Sequence, residues 1–520
     1  MMDLNQIIES QAGLLNALQE LAAGKIDFAA YKPFGAPFGV YPQRDGKLMN
    51  RIRLTGGEVT REQLNFIARI CRSSGADFMH ITTRQDIQLH GVSPLESVKV
   101  IRECTANGLP FRGGGGDTFR NIAITASSGI ADDGSFDLAP YARYLTDVVF
   151  GWEKAYHLPR KIKIGFASAN DAPLALRQDL GFVAATDADG NRGFAVYGGG
   201  GFGRESTVGV KLFDFLPAGK IAYAARAMVE LFSDHGDREH RNMARIRFIV
   251  KRLGKEAFVA LYHEYYEKFR GETYPEVGEP AADWSFGTAP VREFAPDASL
   301  DGDAAFRRWR ALAVRPTRFG ADRVAVTVYI PRGVLSPEEF LKLGGVFAEF
   351  GIPAVRLTFE QNILVPALHV SAPAAFYRAL KQLGPDYTFE SFAGQLDCCI
   401  GATICKIGVL DTPKYGAVVG EALDRYFEAH PEKRAKAALL LPELLHFSGC
   451  PNSCTAHEVA RFGFQGCKKK IDDVLTDCFT LWRNRNYPAS PIGEDAAEVI
   501  PAPQLAERVI RLLEEERVLD

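Results

Sequence analysis

Four cysteines near the C-terminus stand in two closely spaced pairs. Cys399 and Cys405 form a C-x5-C pattern, and Cys450 and Cys454 form a C-x3-C pattern after a long gap. Soft thiolate ligands suit iron–sulfur chemistry, and four thiolates on two short loops can hold a cubane cluster. The glycine, serine, threonine and asparagine residues around them offer N–H and O–H donors that tune cluster sulfurs. The pattern therefore predicts a [4Fe–4S] site.

Two other interpretations of these cysteines stay open at this point. One is an iron–sulfur electron-transfer or sensor protein without a second cofactor. The other is a structural zinc protein, although zinc ribbons usually carry C-x2-C knuckles. Cys398 adjoins the pattern, but only Cys399 gives the five-residue spacing. The cysteines outside the pattern are predicted to be small core residues: Cys71, Cys104, Cys467 and Cys478.

Four short runs in the first half place cations among β-type residues. The runs are 51–53, 83–90, 117–121 and 159–163. In an alternating strand Arg51 and Arg53 share one face, as do Lys161 and Lys163. Paired cations are costly to bury unless an anion meets them, so a solvated face with opposing carboxylates is the alternative for any one run. Four such runs together favour a polyanionic ligand.

Glycine runs and an internal repeat indicate how these residues are positioned. Runs 113–116 and 198–201 are predicted to offer free backbone amides to an anion or a flat ligand. Segments beginning at Gly57 and Gly333 match without a gap, each reading as strand, helix and strand. Thr60 and Ser336 are the predicted N-caps of the two helices, each with a capping box. A duplicated chain with pseudo-twofold symmetry follows, with the basic strand residues only in the first copy.

Bulk composition excludes several classes of protein. The chain has 520 residues, a net charge of -3 and 47% hydrophobic residues, which indicates a globular protein and not a nucleic-acid binder. No apolar run is long enough to span a bilayer. Residues 1–25 read as an amphipathic helix without signal-peptide features, so the cytoplasm is the expected compartment. In a reducing compartment, nine cysteines favour metal ligation over disulfides.

Together these residues resemble the sulfite and nitrite reductase family, whose members carry sirohaem coupled to a [4Fe–4S] cluster. The resemblance runs from about residue 41 to 465. Its specific parts are the cysteine pairs with their G-C-P-N-x-C sequence, the T-x-R-Q-x-x-Q-x-H-G run at Thr82–Gly91, and L-P-R-K-x-K at Leu158–Lys163. Sirohaem bears eight carboxylates, so the resemblance also accounts for the supply of cations.

The resemblance implies a role for each site residue. The cluster ligands would be Cys399, Cys405, Cys450 and Cys454, with Cys454 also bridging to the sirohaem iron. The cations around the substrate anion would be Arg51, Arg120, Lys161 and Lys163, and they would also relay protons. The residues that hold sirohaem carboxylates or lie beside the cofactor would be Arg84, Gln88, His90, Arg160 and Asn452. His80 stands where some members carry arginine, so one carboxylate contact is expected to be weaker or pH-dependent.

The resemblance also bears on substrate and partners. Sulfite-reducing members resemble K-x-K at Lys161–Lys163, whereas plant-type nitrite reductases carry K-x-N. The prediction is therefore six-electron reduction of sulfite, with reduction of nitrite to ammonia as the alternative. The sequence shows no flavin or nicotinamide domain, so an external ferredoxin or flavoprotein is expected to supply electrons.

The expected fold is α+β and three-lobed, with two ferredoxin-like half-domains related by a pseudo-twofold axis and two sirohaem-binding lobes. The predicted segments are an N-terminal wrapping segment 1–48, half-domain 49–113, first sirohaem lobe 114–300 with a linker at 271–303, half-domain 317–386, and a sirohaem and cluster lobe 387–520.

Overall fold

The computed structural model describes residues 4–203, 205–275, 277, 291–295, 297–487, 490 and 492–519. Within the predicted linker 271–303, residues 276, 278–290 and 296 lie outside these residues. Helices and β-sheets both contribute throughout, as the α+β prediction requires. The α-helices are α1 Leu4–Ser10, α2 Ala12–Ala22, α3 Phe28–Gly35, α4 Arg61–Ser73, α5 Pro94–Ala106, α6 Ala139–Phe150, α7 Ala172–Leu176, α8 Ile221–His235, α9 Ile246–Leu253, α10 Lys255–Phe269, α11 Ala304–Ala313, α12 Pro337–Glu349, α13 Pro373–Lys381, α14 Thr412–Ala429, α15 Pro431–Leu444 and α16 Leu505–Glu515.

The strands form five-stranded sheets with the orders β1-β2-β5-β4-β13, β10-β9-β8-β7-β6, β11-β12-β15-β14-β3 and β16-β17-β18-β19-β20. Their bounds are β1 Val40–Pro42, β2 Leu48–Ile52, β3 Glu58–Thr60, β4 Phe78–Ile81, β5 Ile87–Val92, β6 Ala123–Ile124, β7 Ile164–Ala167, β8 Leu180–Thr186, β9 Arg192–Gly198, β10 Val210–Pro217, β11 Val314–Pro316, β12 Arg323–Val328, β13 Val334–Leu335, β14 Ala354–Leu357, β15 Ile363–His369, β16 Asp397–Cys398, β17 Leu445–Ser448, β18 Phe462–Ile471, β19 Val474–Arg483 and β20 Glu494–Pro501.

The internal repeat is confirmed. Helix α4 begins at Arg61 and α12 at Pro337, 276 positions later, and both helices are 13 residues long. Both predicted N-caps, Thr60 and Ser336, accept a hydrogen bond from the third helical N–H, and both capping boxes are complete. Local capping energetics thus fix the same helix start twice.

The two repeats interlock by exchanging strands. Strand β13 of the second repeat pairs with β4 of the first, and β3 of the first pairs with β14 of the second. Gly57 and Gly333 have positive φ at this crossing, and a Cβ on either would lie 2.7–2.9 Å from a backbone oxygen of the other repeat. Only glycine permits this approach, so the two half-domains share one hydrophobic core.

Two further cores complete the three-lobed fold. One joins buried residues from Phe119 to Tyr262, around the sheet that contains β7. The other joins residues from Leu312 to Leu519, around the sheet that contains β17. Strand β1, which belongs to the predicted wrapping segment 1–48, is an edge strand of the first repeat's sheet. Within the described residues, no helix is long and apolar enough to cross a membrane.

Candidate functional site

The two cysteine pairs meet because they follow neighbouring parallel strands. Strands β16 and β17 pair in parallel, with Cys398 opposite Phe447. Cys399 follows β16 directly, and Cys450 follows β17 by two residues. The carboxyl ends of adjacent parallel strands lie at one sheet edge. The loops are then tied together, since the Gly449 oxygen accepts hydrogen bonds from two backbone N–H groups, of Val409 and Leu410, at 3.0 Å each.

Donors surround the thiols, as the sequence predicted. The Gly449 N–H donates to Cys399 Sγ at 3.1 Å. Thr412 Oγ1 lies 3.4 Å from the same sulfur, and Asn452 Nδ2 donates to Cys450 Sγ at 3.5 Å. Such donors stabilise negative charge on sulfur. They therefore favour the thiolate form that a metal requires.

The four thiols form one electrostatic group. Burial raises the pKa of the Cys454 thiol to about 12, and Cys399 and Cys450 add to the rise, whereas Lys163 opposes it. In the described part of the chain, no three His, Cys, Asp or Glu side chains converge as the ligands of a single metal ion would. Each corner of a cubane binds a different iron, so its ligands stand farther apart than those of one ion. The four thiols are the soft ligands that the predicted cluster would take.

Cys398 faces away from this group. A Cβ on Gly416 of α14 would collide with Cys398 Sγ, so the side chain packs tightly against that helix. The alternation of a strand sends Cys399 to the opposite side. Cys71 and Cys104 are fully buried in the central core, as predicted. Cys467 and Cys478 stand opposite each other on β18 and β19.

Arg51 and Arg120 are both anchored by the first glycine run. Arg51 Nη1 donates to the Gly114 oxygen at 2.6 Å. Arg120 donates to the oxygens of Gly115, Gly116 and Thr118 at 2.8–3.0 Å. The run thus presents carbonyls to arginines. Two amides that the sequence predicted to be free are occupied, since Gly114 N–H donates to Phe119 and Gly116 N–H to Tyr41.

The second glycine run differs from its prediction in the same way. The N–H groups of Gly199 and Gly201 donate to backbone oxygens of Asp179 and Thr207. A Cβ on Gly201 would lie 3.0 Å from Arg245 and 3.1 Å from Arg247. This run makes room for two guanidinium groups that sequence reasoning did not select.

Arg84 and Arg160 both contact residues of the first sirohaem lobe predicted from the sequence. Arg84 donates to Gln178 Oε1 at 2.8 Å and to the Ile164 oxygen at 2.7 Å, and its Nε is buried without a partner among the described residues. Burial lowers the pKa of Arg84 to about 10. Arg160 Nη1 instead pairs with Asp117 at 3.1 Å.

Lys161 and Lys163 lie just before β7, on either side of the buried Ile162. Neither ammonium forms a hydrogen bond or ion pair with any residue that the structure describes. Burial lowers the pKa of Lys163 to about 7, and Arg84 and Arg245 contribute to this shift. Burial likewise lowers the pKa of Lys161 well below its usual range. Unpaired lysines amid other cations are costly, and a bound anion would offset that cost.

Asp179 and Arg245 form a buried ion pair beneath these lysines. Arg245 Nε and Nη2 donate to the two carboxylate oxygens at 3.0 and 2.7 Å. The Lys163 N–H donates to the same carboxylate at 2.7 Å. Sequence reasoning missed both residues, because an isolated Asp and an Arg far along the chain carry no local pattern. The sequence Arg245-Ile-Arg247 resembles Arg51-Ile-Arg53 and was the available signal.

The first sirohaem lobe reaches the cysteine loop through Glu458. Ser206 Oγ donates to Glu458 Oε1 at 2.6 Å, and Ser453 Oγ donates to its other oxygen. Ser453 precedes Cys454 and has a φ of 52°. A Cβ on Gly203 would lie 4.0 Å from the Pro451 oxygen. Lys163 and Cys454 also lie close enough to shift each other's pKa, so both belong to the junction between the two lobes.

The residues around this junction fit a tetrapyrrole with many carboxylates beside a cluster. Arg84, Arg120 and Lys163 remain partly exposed, although burial lowers the pKa of each of them. Buried donor atoms without a partner among the described residues include Arg53 Nη1, Arg84 Nε and Arg247 Nε. Not every predicted residue reaches this junction as expected, because Gln88 and His90 are buried in β5 and hydrogen-bonded to each other.

Fold and site together define a class of protein: a duplicated α+β scaffold with a cationic recess next to four thiols. The family model described as "Nitrite and sulphite reductase 4Fe-4S domain" matches residues 115–269. The model described as "Nitrite/Sulfite reductase ferredoxin-like half domain" matches residues 41–107 and 317–383. The chain belongs to the nitrite and sulfite reductase family, and its cofactors are sirohaem and a [4Fe–4S] cluster.

Curated relatives include both activities at similar distance. The chain is 26% identical over 445 residues to ferredoxin–nitrite reductase of Synechococcus elongatus, covering 84% of this chain and 79% of that protein. It is 25% identical over 469 residues to the sulfite reductase [NADPH] hemoprotein beta-component of Acidithiobacillus ferrooxidans, covering 82% and 76%. The solved structure of Mycobacterium tuberculosis NirA has the same fold, with a TM-score of 0.79, 19% identity and coverage of 98% and 93%.

Proposed function

We propose that this chain catalyses the six-electron reduction of sulfite to sulfide, with nitrite as the alternative substrate. The observation that carries the proposal is the pair Lys161 and Lys163, whose ammonium groups contact no carboxylate in the described residues and of which Lys163 lies near Cys454. Similar identity to a nitrite reductase and a sulfite reductase, 26% and 25%, is the observation that favours keeping nitrite as the second candidate.

The cluster would be held by Cys399, Cys405, Cys450 and Cys454, and Cys454 would be the ligand shared with the sirohaem. The sirohaem carboxylates would be bound by Arg84, Arg160 and Asn452, whereas Gln88 and His90, which are buried in β5, would lie behind the residues that contact the cofactor. When bound, the coupled cofactors supply electrons to an anion on the iron. Asn452 would also steady Cys450, whose sulfur its amide already contacts.

Arg51 and Arg120 would bind the oxyanion as fixed cations. Their guanidinium groups are held by carbonyls of the glycine run, so little reorganisation accompanies binding. Lys161 and Lys163 would supply protons from Nζ as each substrate oxygen leaves as water. A lysine whose pKa lies near 7 gives up its proton readily at neutral pH, which an arginine does not.

Exchange of Lys163 for asparagine tests the substrate. Lys163→Asn should lower sulfite turnover more than nitrite turnover, because sulfite has one more oxygen to protonate. Lys211→Asn, at an exposed lysine of the same lobe, is the matched control and should change neither. Equal losses for both anions would show that Lys163 anchors the cofactor and does not select the substrate.

The electron donor is proposed to be an external ferredoxin or flavoprotein, and the compartment the cytoplasm, where cysteines stay reduced. Turnover with reduced ferredoxin and with a reduced flavoprotein, each as sole donor, separates the two. Sirohaem bands that shift when sulfite is added would support the reaction itself. A fully loaded protein without a tetrapyrrole on acid–acetone extraction would refute it.

A further inference from the structure

A chain of buried hydrogen bonds runs from the cysteine lobe to Arg51. Gln361 Nε2 donates to the Cys398 oxygen at 3.1 Å, next to a proposed cluster ligand. His80 Nε2 lies 2.9 Å from Gln361 Oε1. Gln88 lies between His80 and Arg51, with one amide atom 3.2 Å from His80 Nδ1 and the other 2.7 Å from Arg51 Nη2. The chain crosses between the two repeats, because Gln361 belongs to the second.

Each step of this chain fixes the next. His80 Nε2 faces an amide oxygen, so it carries the proton, and Nδ1 must then accept. The Gln88 amide nitrogen therefore points toward His80 Nδ1, and it also donates to His90 Nε2 at 3.1 Å. The Gln88 oxygen consequently faces Arg51 and accepts from Nη2 at 2.7 Å and from Nε at 3.1 Å. This orientation gives each of the four Gln88 contacts a donor and an acceptor, and it leaves the buried Nδ1 of His90 without a partner among the described residues.

Burial protects the network from water. The exposed fractions of His80, Gln88 and His90 are 6%, 8% and 4%. His90 also stacks on Phe78, with ring centroids 4.7 Å apart. Burial lowers the pKa of both histidines, so both are neutral at neutral pH and the donor directions persist.

The network determines which N–H groups of Arg51 remain available. A guanidinium has five N–H donors. Gln88 takes two of them and the Gly114 oxygen takes a third, on Nη1. One N–H on each of Nη1 and Nη2 is left over among the described contacts. Two donors on separate nitrogens suit bidentate contact with an oxyanion.

We propose that Gln88, His80 and Gln361 are positioning residues that hold Arg51 in the direction required to bind the substrate oxyanion. Gln88 acts through Arg51 and not by holding a sirohaem carboxylate, since both of its amide hydrogens are committed to histidines. His80 is then a link to the second repeat and not a weakened carboxylate ligand. The inference rests on the proposed function, because it assigns Arg51 to the anion.

The test compares Gln88→Leu with Gln88→Glu in the holoenzyme. Loss of a hydrogen bond to a charged group costs about 1.5–3 kcal/mol, so Gln88→Leu should raise KM for nitrite and sulfite by roughly 10- to 150-fold. The fall in kcat should be smaller. Glutamate keeps an acceptor toward Arg51 but has no donor for the two histidines, so Gln88→Glu should restore the KM only in part. Dissociation constants for nitrite, from the shift of the visible spectrum without turnover, should follow the KM values.

Several results would overturn the inference. If the acid–acetone extract of the purified Gln88→Leu protein contained no sirohaem, Gln88 would be a cofactor ligand. Equal KM values for the two variants would show that the acceptor toward Arg51 has no role. If Gln88→Leu fails to fold, the nearly isosteric Gln88→Met and the remote His80→Phe should still raise KM, and an unchanged KM in both would refute the chain. A wild-type holoenzyme inactive on both anions would instead refute the proposed function.

Discussion

The buried pair Asp179 and Arg245 should stabilise the floor of the anion site, and Asp179→Asn tests this. The two side chains are 0% and 8% exposed. Substitution by asparagine keeps the shape but removes the charge that Arg245 contacts through two hydrogen bonds. Arg245 would then be a buried guanidinium without its compensating charge. Breaking a buried pair in this way costs about 3–5 kcal/mol.

The magnitude can be compared directly with an exposed pair. Lys47 and Asp77 are joined at 2.8 Å, but their side chains are 43% and 47% exposed. Asp77→Asn should therefore cost at most about 1 kcal/mol. For a lobe of this size 1 kcal/mol shifts Tm by about 2–4 °C, so Asp179→Asn should lower the Tm of that lobe by roughly 6–20 °C.

Thermal unfolding of the holoenzyme, followed by circular dichroism and by loss of the visible absorption, measures both variants. The double variant Asp179→Leu with Arg245→Met should be more stable than Asp179→Asn, because it leaves no uncompensated charge. Equal Tm values for Asp179→Asn and Asp77→Asn would refute the reasoning. The reasoning would also be refuted if the Tm of the double variant fell by the sum of the decreases that Asp179→Leu and Arg245→Met cause separately.

Three more predictions concern the lysines and the cysteine loops. Burial lowers the pKa of Lys163 to about 7, so its ammonium is present below pH 7 and lost above it. KM for nitrite should therefore rise by up to about tenfold per pH unit above pH 7. Lys163→Arg should flatten this profile in steady-state assays. Chemical analysis should find no cluster iron or sulfide in Cys399→Ser, whereas Cys398→Ser, at the neighbouring position, should keep both. Equal loss of iron and sulfide in the two variants would contradict the choice of Cys399 over Cys398 as the ligand. Gly449→Ala would set a Cβ 2.5 Å from Thr412 Oγ1, so its iron content should fall together with its Tm, and normal values of both would contradict the tight loop.

Much of the fold could be predicted because its signals are local. Thr60 and Ser336 each carry the capping partner three residues on, so both helix starts were readable. The register of the repeat follows from the sequence match, and the structure keeps it at 276 positions. The exchange of β3 and β13 between repeats was not readable, because strand pairing between distant segments depends on which edges are free after each half has formed.

The site residues, too, could be predicted from the sequence only where the signal is local. Spacing alone selected Cys399, Cys405, Cys450 and Cys454, because thiol clusters at short intervals are rare without a metal. The glycine run at 113–116 was misjudged, since sequence shows that backbone is accessible but not whether amides or carbonyls turn toward the site. Here the carbonyls face Arg51 and Arg120.

The sequence by itself determined the family, the duplication and the excess of cations in the first half, and it selected the four cysteines proposed as cluster ligands. The tertiary structure decided how those cations are held. Asp179 accepts hydrogen bonds from the Lys163 N–H and from Arg245. Gln361 is linked to Arg51 by hydrogen bonds through His80 and Gln88. These contacts join residues far apart in the chain, and hydrogen-bond direction and burial exist only once the lobes have packed. Composition and spacing record which groups are present, whereas packing sets which of their donors remain free for a ligand.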